Sequence, residues 1–446
     1  MNAIPTFVIN LDKRTDRKRS VLREFRNKPE FDVNIVSAQQ SKCGALGLWK
    51  TMRSIIESAL GNDLDYVIIC EDDHKFTNNY TKEILINAIS NAVLHGADLL
   101  FGSVSWFSNS IPLRDGLFWL EDFSGTQFFV VFKKFYHLML TNNDESEAPA
   151  DARMSELTIH KMAVFPFLSV QKEFGYSDAT DLNNEIGRVK NLFKWASRGF
   201  KTIQDVDSFY SKHQVAGPDY VAQADLSTIC IPTYAINLPG RSERLAHIKA
   251  EFEGKPEFDL TIVEATEHQV GALGLWMSIR RVIQMAIDND DDVIIICEDD
   301  HQFTDHYSPD YLLSNILHAH RDGAYYLSGG TGQFGFALPL TENRYWVNHC
   351  LSTQFVVIFK KMFKKILSEP FDEEIIADIA YSQMTSNKMV LFPFVSTQKN
   401  FGYSDVTPMH HQDKDLIDRL FNNSISRLQT IQRAYRKFRL KTEKVA

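Results

Sequence analysis

The chain carries one domain-sized sequence twice. Adding 227 to a residue number in the first half finds its counterpart in the second, without a gap, from about residue 7 to residue 180. Asn10-Leu11 maps to Asn237-Leu238, and Lys28-Pro29-Glu30-Phe31-Asp32 to Lys255-Pro256-Glu257-Phe258-Asp259. Gly44-Ala45-Leu46-Gly47-Leu48-Trp49 returns as Gly271-Ala272-Leu273-Gly274-Leu275-Trp276, and Glu71-Asp72-Asp73-His74 as Glu298-Asp299-Asp300-His301. Between Lys161 and Asp178, 13 of 18 positions match Lys388 to Asp405, so the likeness lasts to the end of the unit. A repeat this long is a whole domain, not a stacked solenoid module of about 20–45 residues. The layout it predicts is a first copy at 1–180, a linker at 181–228, a second copy at 229–408 and a basic helical tail at 409–446. Ala216-Gly217-Pro218-Asp219 marks a break before the second copy.

Within one copy the apolar pattern alternates between strand and helix. Phe7 to Leu11 reads as a buried strand, and Arg14 to Arg26 as a charged helix with Thr15 or Asp16 as its cap. Val33 to Val36 is a second strand. Leu46, Trp49, Met52, Ile55, Ile56 and Ala59 then recur at helical spacing. Asp65 to Cys70 is a third strand, which the acidic triplet ends. Ala97–Phe101 and Gln127–Phe132 read as further strands, and Lys133–Leu140 as a short helix. This order predicts an α/β, Rossmann-like, mostly parallel sheet in each copy. Ligands of such sheets bind at the carboxyl ends of the strands, where both triplets fall.

Bulk properties narrow the class. A net charge of −9 argues against a nucleic-acid partner. Five cysteines, an odd number without zinc spacing, fit a reducing compartment. Met1 to Leu11 reads as a strand rather than a leader, and runs such as Val67–Cys70 and Val293–Cys297 are too short to span a bilayer. A cytoplasmic protein is expected.

Three consecutive carboxylates after a buried strand repel one another unless a cation or hydrogen-bond donors neutralise them. A hard divalent ion, Mn²⁺ or Mg²⁺, does so with oxygen ligands. The first and third residues of a triplet point to one side of an extended chain. Glu71 with Asp73, and Glu298 with Asp300, are the candidate metal ligands, able to hold an ion bound to a diphosphate. A plain solvated turn is the competing reading. His74 and His301 are either further ligands, phosphate contacts or partly exposed loop residues.

The run Val8-Ile9-Asn10-Leu11-Asp12-Lys13-Arg14-Thr15-Asp16-Arg17 resembles the opening of family 25 glycosyltransferases, a group that includes lipopolysaccharide-biosynthesis enzymes and procollagen galactosyltransferases. The resemblance continues in order through the Gly-rich helix start, the strand ending in Glu-Asp-Asp, Gly125-Thr126-Gln127, Asp151, Pro166 and Ser177-Asp178. The second copy offers Ser352-Thr353-Gln354, Asp378, Pro393 and Ser404-Asp405. The likeness implies two tandem GT-A-like domains, a nucleotide-sugar donor, a Mn²⁺-type metal and inverting transfer. Both copies lack the Ser-His pair that the family carries at the helix start, and the second has Pro239-Gly240 in place of Asp12-Lys13.

Under that resemblance Arg14, Arg17, Arg241 and Arg244 are candidate donor-binding residues, because guanidinium grips phosphate bidentately. A solvated helix face is their alternative. Asn10 and Asn237 contact base or ribose, or cap a turn. Asp72 and Asp299 complete the donor-binding set. An inverting transferase needs a general base for the acceptor hydroxyl. Asp151 and Asp378, each at a helix start, are the candidates; helix capping is the other explanation, and Asp178 and Asp405 are alternative acids. Trp49 and Trp276 read as core. Trp106, Trp119 and Trp346 lie in the stretch that differs most between copies, where acceptor contacts are expected. The acceptor is a glycan, lipid-linked or protein hydroxyl. The tail from Arg427 to Lys444 has Ile425, Leu428, Ile431, Tyr435 and Phe438 along one side, and either rests on an anionic membrane surface or packs on the domain. The functions in competition are a duplicated or bifunctional metal-dependent glycosyltransferase, one active domain with a degenerate partner, a non-enzymatic glycan-binding protein, and a metal-dependent phosphohydrolase.

Overall fold

The computed structural model describes residues 3–142, 146–176, 181–213, 221, 224–351, 354–370, 377–402 and 415–440. The chain is α/β and forms two compact units, 1–207 with 433–446, and 208–432. The first copy runs β1 (Ile4–Asn10), α1 (Thr15–Phe25), β2 (Phe31–Ser37), α2 (Gly44–Gly61), β3 (Tyr66–Glu71), β4 (His74–Phe76), α3 (Lys82–Leu94) and β5 (Leu99–Phe101). It continues with β6 (Trp106–Phe107), β7 (Ser110–Pro112), β8 (Leu117–Leu120), β9 (Phe123–Ser124), β10 (Phe128–Phe132), α4 (Lys133–Thr141), α5 (Ala150–Leu157), β11 (Lys161–Val164), β12 (Ser169–Gln171) and α6 (Arg188–His213).

One eight-stranded sheet, in the order β2-β1-β3-β10-β5-β11-β8-β7, is the frame. β2, β1 and β3 are parallel, as are β5 and β11; β10, β8 and β7 pair antiparallel to their neighbours. The sheet is thus Rossmann-like where the acidic triplet sits and mixed as a whole. Val67 to Cys70 of β3 are fully buried, as a central strand covered on both faces must be. β2, at the edge, alternates buried Phe31 with exposed Asp32 and Asn34. The second copy repeats the sheet with the same order, from Ile231–Asn237 to Lys388–Leu391, each strand at the 227-residue offset. Phe165-Pro166 and Phe392-Pro393 are both cis.

Helix α2 shows how the sequence specifies the packing. Its six periodic apolar residues are all buried against the sheet. Gly47 is on the same helix because a Cβ there would lie 2.4 Å from Gln39 O; Gly274 faces Thr266 O at 2.5 Å. Each glycine lets the helix approach the loop leaving the second strand. Thr51 Oγ1 then accepts from Gln39 N at 2.8 Å, and Ser278 Oγ from Thr266 N at 2.8 Å. Helix α1 departs from expectation at its start: Arg14 is the capping residue, and neither Thr15 nor Asp16 caps.

The segments expected as a linker and a tail are equivalent helices. At an offset of 228, Thr202-Ile203-Gln204 of α6 matches Thr430-Ile431-Gln432 of the helix Leu416–Ala434. Buried Val189, Phe193, Phe200, Ile203 and Tyr210 correspond to buried Ile417, Phe421, Leu428, Ile431 and Phe438. Arg188–His213, expected within the linker, is therefore a helix of the folded repeat. Of the tail's apolar side, Leu428, Ile431 and Phe438 are buried against protein, and Ile425 and Tyr435 are half-buried. Phe438 stands edge-on to His160, 5.2 Å between ring centroids, and Arg439 pairs with Asp207. No helix among the described residues is long and apolar enough to cross a membrane. Ala216 to Asp219, Ser177, Asp178, Ser352, Thr353, Ser404 and Asp405 lie outside the described residues.

Candidate functional site

The triplet of the first copy closes β3, and its three carboxylates are held differently. Asn10 Nδ2 donates to Asp72 Oδ2 at 2.7 Å, and Arg17 Nη1 to Asp72 Oδ1 at 3.1 Å, so Asp72 is neutralised. Asp73 Oδ2 meets the same guanidinium at 3.4 Å and accepts from Gln171 Nε2 at 3.0 Å. Its buried Oδ1 has no partner. Glu71 Oε1 accepts from Thr126 Oγ1 at 2.6 Å. Arg17 is anchored by donation to Tyr176 O at 2.6 Å. Arg14 sits over the Tyr176 ring, 4.0 Å from its centroid.

These contacts leave negative charge uncompensated. Burial, then the neighbouring Asp73, raises the Glu71 carboxyl well above its ordinary range. Burial likewise raises Asp73, and Arg17 offsets only part of that. Burial opposes the charge of Arg17, but Asp73 and Asp72 outweigh it and hold the guanidinium more firmly protonated.

Both histidine readings are corrected. His74 is 1 % exposed and stacks on Phe128 at 4.7 Å, with Phe76 edge-on at 4.3 Å. Burial lowers its pKa to about 3, so it is a neutral core residue. It opens β4, which turns its first side chain inward. His301 is equally buried, its pKa also near 3, with Nδ1 2.8 Å from Ser396 Oγ.

A cavity of about 830 Å³ opens in front of the triplet. Arg17, Glu71, Asp72, Asp73, Asp151 and Trp106 all line it. Asn10 and Arg14 do not; Asn10 is buried behind Asp72. Asp151 lies in the first turn of α5, where Gly125 N donates to its Oδ2 at 3.1 Å. Gly125 adopts φ +113°, a conformation that favours glycine, and this aims its N–H at Asp151. The second copy has Ser352 at that place. Trp106 is half exposed, next to Phe107, which pairs with Phe123 in the ladder before Gly125. Trp119 and Trp346, expected near an acceptor, are buried core, with Nε1 donating to Ile159 O and Ser386 O at 2.7 Å each. Trp49 and Trp276 are buried as expected.

The second copy keeps the charge network and changes the surroundings. Asn237 Nδ2 donates to Asp299 Oδ2 at 2.9 Å, and Arg244 Nη1 to Asp299 Oδ1 at 2.7 Å. Arg244 lies 3.5 Å from Asp300, which burial raises well above its ordinary range and whose Oδ1 has no partner. Arg241 is half-buried before its helix. Asp378 sits in the first turn of Ala377–Met384. Glu298, however, borders a void with no room for water, shared with Ile279, Ile296, Val356 and Tyr381. Tyr381 stands where the first copy has Met154, and packs edge-on against Trp276 at 5.7 Å.

Among the described residues no three His, Cys, Asp or Glu side chains converge as a complete ion site. Each copy offers a pair, Glu71 with Asp73 or Glu298 with Asp300, with one buried aspartate oxygen unused. Two hard carboxylates beside uncompensated negative charge suit Mn²⁺ or Mg²⁺ if ligand or water oxygens complete the shell. Sequence reasoning passed over Gln171 and Tyr176, and gave Gly125 and Thr126 no role beyond their place in the resemblance. Gln171 sat in plain view, since it recurs as Gln398 in the best-matched window.

No family model and no curated protein matches the chain in sequence. Solved structures with partial likeness include A197 from STIV, at 15% identity and a TM-score of 0.28, covering 39% of this chain and 87% of that one. Apo UDP-glucose pyrophosphorylase is similar at 8% identity and a TM-score of 0.27, covering 45% and 82%. UDP-glucose pyrophosphorylase complexed with UDP-glucose follows at 10% identity and 0.27, covering 43% and 81%.

Proposed function

We propose that the first copy is a metal-dependent inverting glycosyltransferase that uses a nucleotide-sugar donor, and that the second copy is a related domain with a different or lost specificity. The observation that carries this reading is the 830 Å³ cavity, into which Glu71, Asp73 and Asp151 all open. A space of that size accommodates a nucleotide sugar together with part of an acceptor. Glu71 and Asp73 would hold Mn²⁺ or Mg²⁺, with Asp72, Arg17 and Asn10 fixing the end of β3. When bound, the ion supplies charge neutralisation for a leaving diphosphate. Arg17, locked by Tyr176 and Asp72, would lie beside the same group on the cavity wall, its charge shared with Asp72 and Asp73. Asp151, oriented by Gly125 N, accepts the proton of the acceptor hydroxyl as it attacks the anomeric carbon. In the second copy the equivalent roles fall to Glu298, Asp300, Asp299, Asn237, Arg241, Arg244 and Asp378, with Tyr381 beside Glu298 where the first copy has Met154.

The test is a nucleotide-sugar turnover screen with Mn²⁺ on the wild type and on Asp73→Ala, Asp151→Asn and Asp300→Ala. Turnover should fall at least about 100-fold in Asp73→Ala and Asp151→Asn. Asp300→Ala should keep the main activity. Loss in Asp300→Ala alone would move the active site to the second copy. No turnover or nucleotide binding by the wild type would sink the reading, and phosphate release from simple phosphoesters would favour a hydrolase.

A further inference from the structure

Helix α6 forms part of the cavity wall. Its start is tied to the acidic end of the site: Glu173 accepts from Gly187 N and Lys190 N, each at 3.1 Å. Glu173 follows Lys172, whose N–H donates to Asp73 O at 2.7 Å, and Gln171, whose side chain holds Asp73 Oδ2. Further along, Phe200 packs on Phe107, at 4.6 Å, beside the exposed Trp106. Arg188 and Leu192 project from the first turns of α6 to the cavity.

Arg188 is half-buried there, and its guanidinium Nη1 donates to Asn183 Oδ1 at 2.6 Å. Among the described residues it makes no ion pair, in contrast to Arg17, whose charge is shared by Asp72 and Asp73. An arginine on a cavity wall, held by a neutral amide and facing no carboxylate partner, is set up to take an anion from the ligand. The aligned position in the second copy, 228 residues on, is Leu416. The buried and cavity-facing neighbours keep their character, Val189 to Ile417, Leu192 to Leu420 and Phe193 to Phe421, while an apolar side chain replaces the guanidinium.

We propose that Arg188 is a further diphosphate-binding residue of the first copy, donated by α6 to a phosphoryl group of a nucleoside-diphosphate donor and absent from the second copy. The proposal rests on the nucleotide-sugar reading of this cavity. The acidic end is chosen over the acceptor side because α6 is anchored there, through Glu173, next to the strand end that carries Gln171. Arg188→Gln keeps a hydrogen-bonding partner for Asn183 and removes the charge; Arg188→Lys keeps the charge.

Binding of UDP, GDP, CDP and ADP to the full chain with Mn²⁺ is measured by calorimetry, with the matching nucleosides and a sugar 6-phosphate as controls. For whichever diphosphate binds the wild type, Arg188→Gln should weaken affinity about 10- to 100-fold, leave nucleoside affinity unchanged and be partly rescued by Arg188→Lys. The loss should appear in donor KM more than in kcat. Equal diphosphate affinity in wild type and Arg188→Gln overturns the proposal while the turnover screen still stands. Loss confined to sugar 6-phosphate also overturns it, by placing the anion on the acceptor. A wild type that binds none of the four diphosphates removes both this proposal and the reading beneath it.

Discussion

Lys161 and Lys388 are buried at equivalent positions, and each uses its ammonium to close the helix that carries the candidate base. Lys161 Nζ donates to Ser155 O at 2.6 Å, and Lys388 Nζ to Ser382 O and to Thr385 O, the latter at 2.7 Å. Burial lowers both groups to about 8, from a usual value of 10.5. Between those two values the unfolded chain holds a proton that the folded chain has released, so stability rises with pH across that window. Below about pH 8 both states are protonated and the penalty is constant. Lys388→Met should flatten its share of the rise, read as a smaller gain in urea midpoint between pH 7.5 and pH 9.5 than the wild type shows. An unchanged slope would place the titrating proton elsewhere. A lysine opening a strand reads as a solvated residue, and nothing in the pattern around Lys161 says otherwise. The carboxylates were legible by contrast, because the costs of three adjacent charges are a property of the chain itself. Their division into one neutralised by Arg17 and two left raised was not, since that depends on where α1 and β12 come to lie.

At the scale of elements, α2 was readable because its apolar residues recur on one face. Its glycines were visible as a repeated motif and their reason was hidden. Gly47 is a packing device: the neighbouring atom, Gln39 O, is backbone and cannot swing aside. Gly47→Ala should therefore cost about 1–3 kcal/mol, as overpacking does. Gly61, at the other end of α2, has nothing within 4 Å of where a methyl group would lie, and Gly61→Ala should be neutral or stabilise by up to about 1 kcal/mol. Urea denaturation of the two variants compares them directly; equal effects would deny Gly47 its role. Helix α6 was missed for a different reason. A one-residue shift in offset and exposed positions without identity broke the repeat after residue 180, leaving only short traces, Leu192-Phe193 and Thr202-Ile203-Gln204. Burial restores the register: the inward positions of α6 and of Leu416–Ala434 coincide, and periodicity without identity is what a shared packing face preserves.

At the scale of the molecule, the two copies agree in frame and in the charge network at the end of the central strand, and differ in what stands before it. The first has a cavity with Trp106 and Arg188 on its walls; the counterparts in the second are Gln333 and Leu416. The duplication and fold class were readable from patterning, while the inequality of the two sites was carried by single side chains such as Tyr381. The end of the chain follows the same logic. A basic, amphipathic segment read alone suits a membrane surface, yet folding spends its apolar side on protein. Leu428 and Ile431 are 0 % exposed, Ser424 Oγ donates to Gly332 O at 2.8 Å, and Arg427 donates to Phe334 O at 3.0 Å. Leu428→Ala and Ile431→Ala should each destabilise the second unit by about 2–5 kcal/mol, the cost of a cavity in a packed core. The full wild-type chain should not float with anionic liposomes of mixed phosphatidylserine and phosphatidylcholine. Urea unfolding reads the first outcome and flotation the second. Alanine variants as stable as wild type, together with a wild type that floats, would return the helix to the membrane.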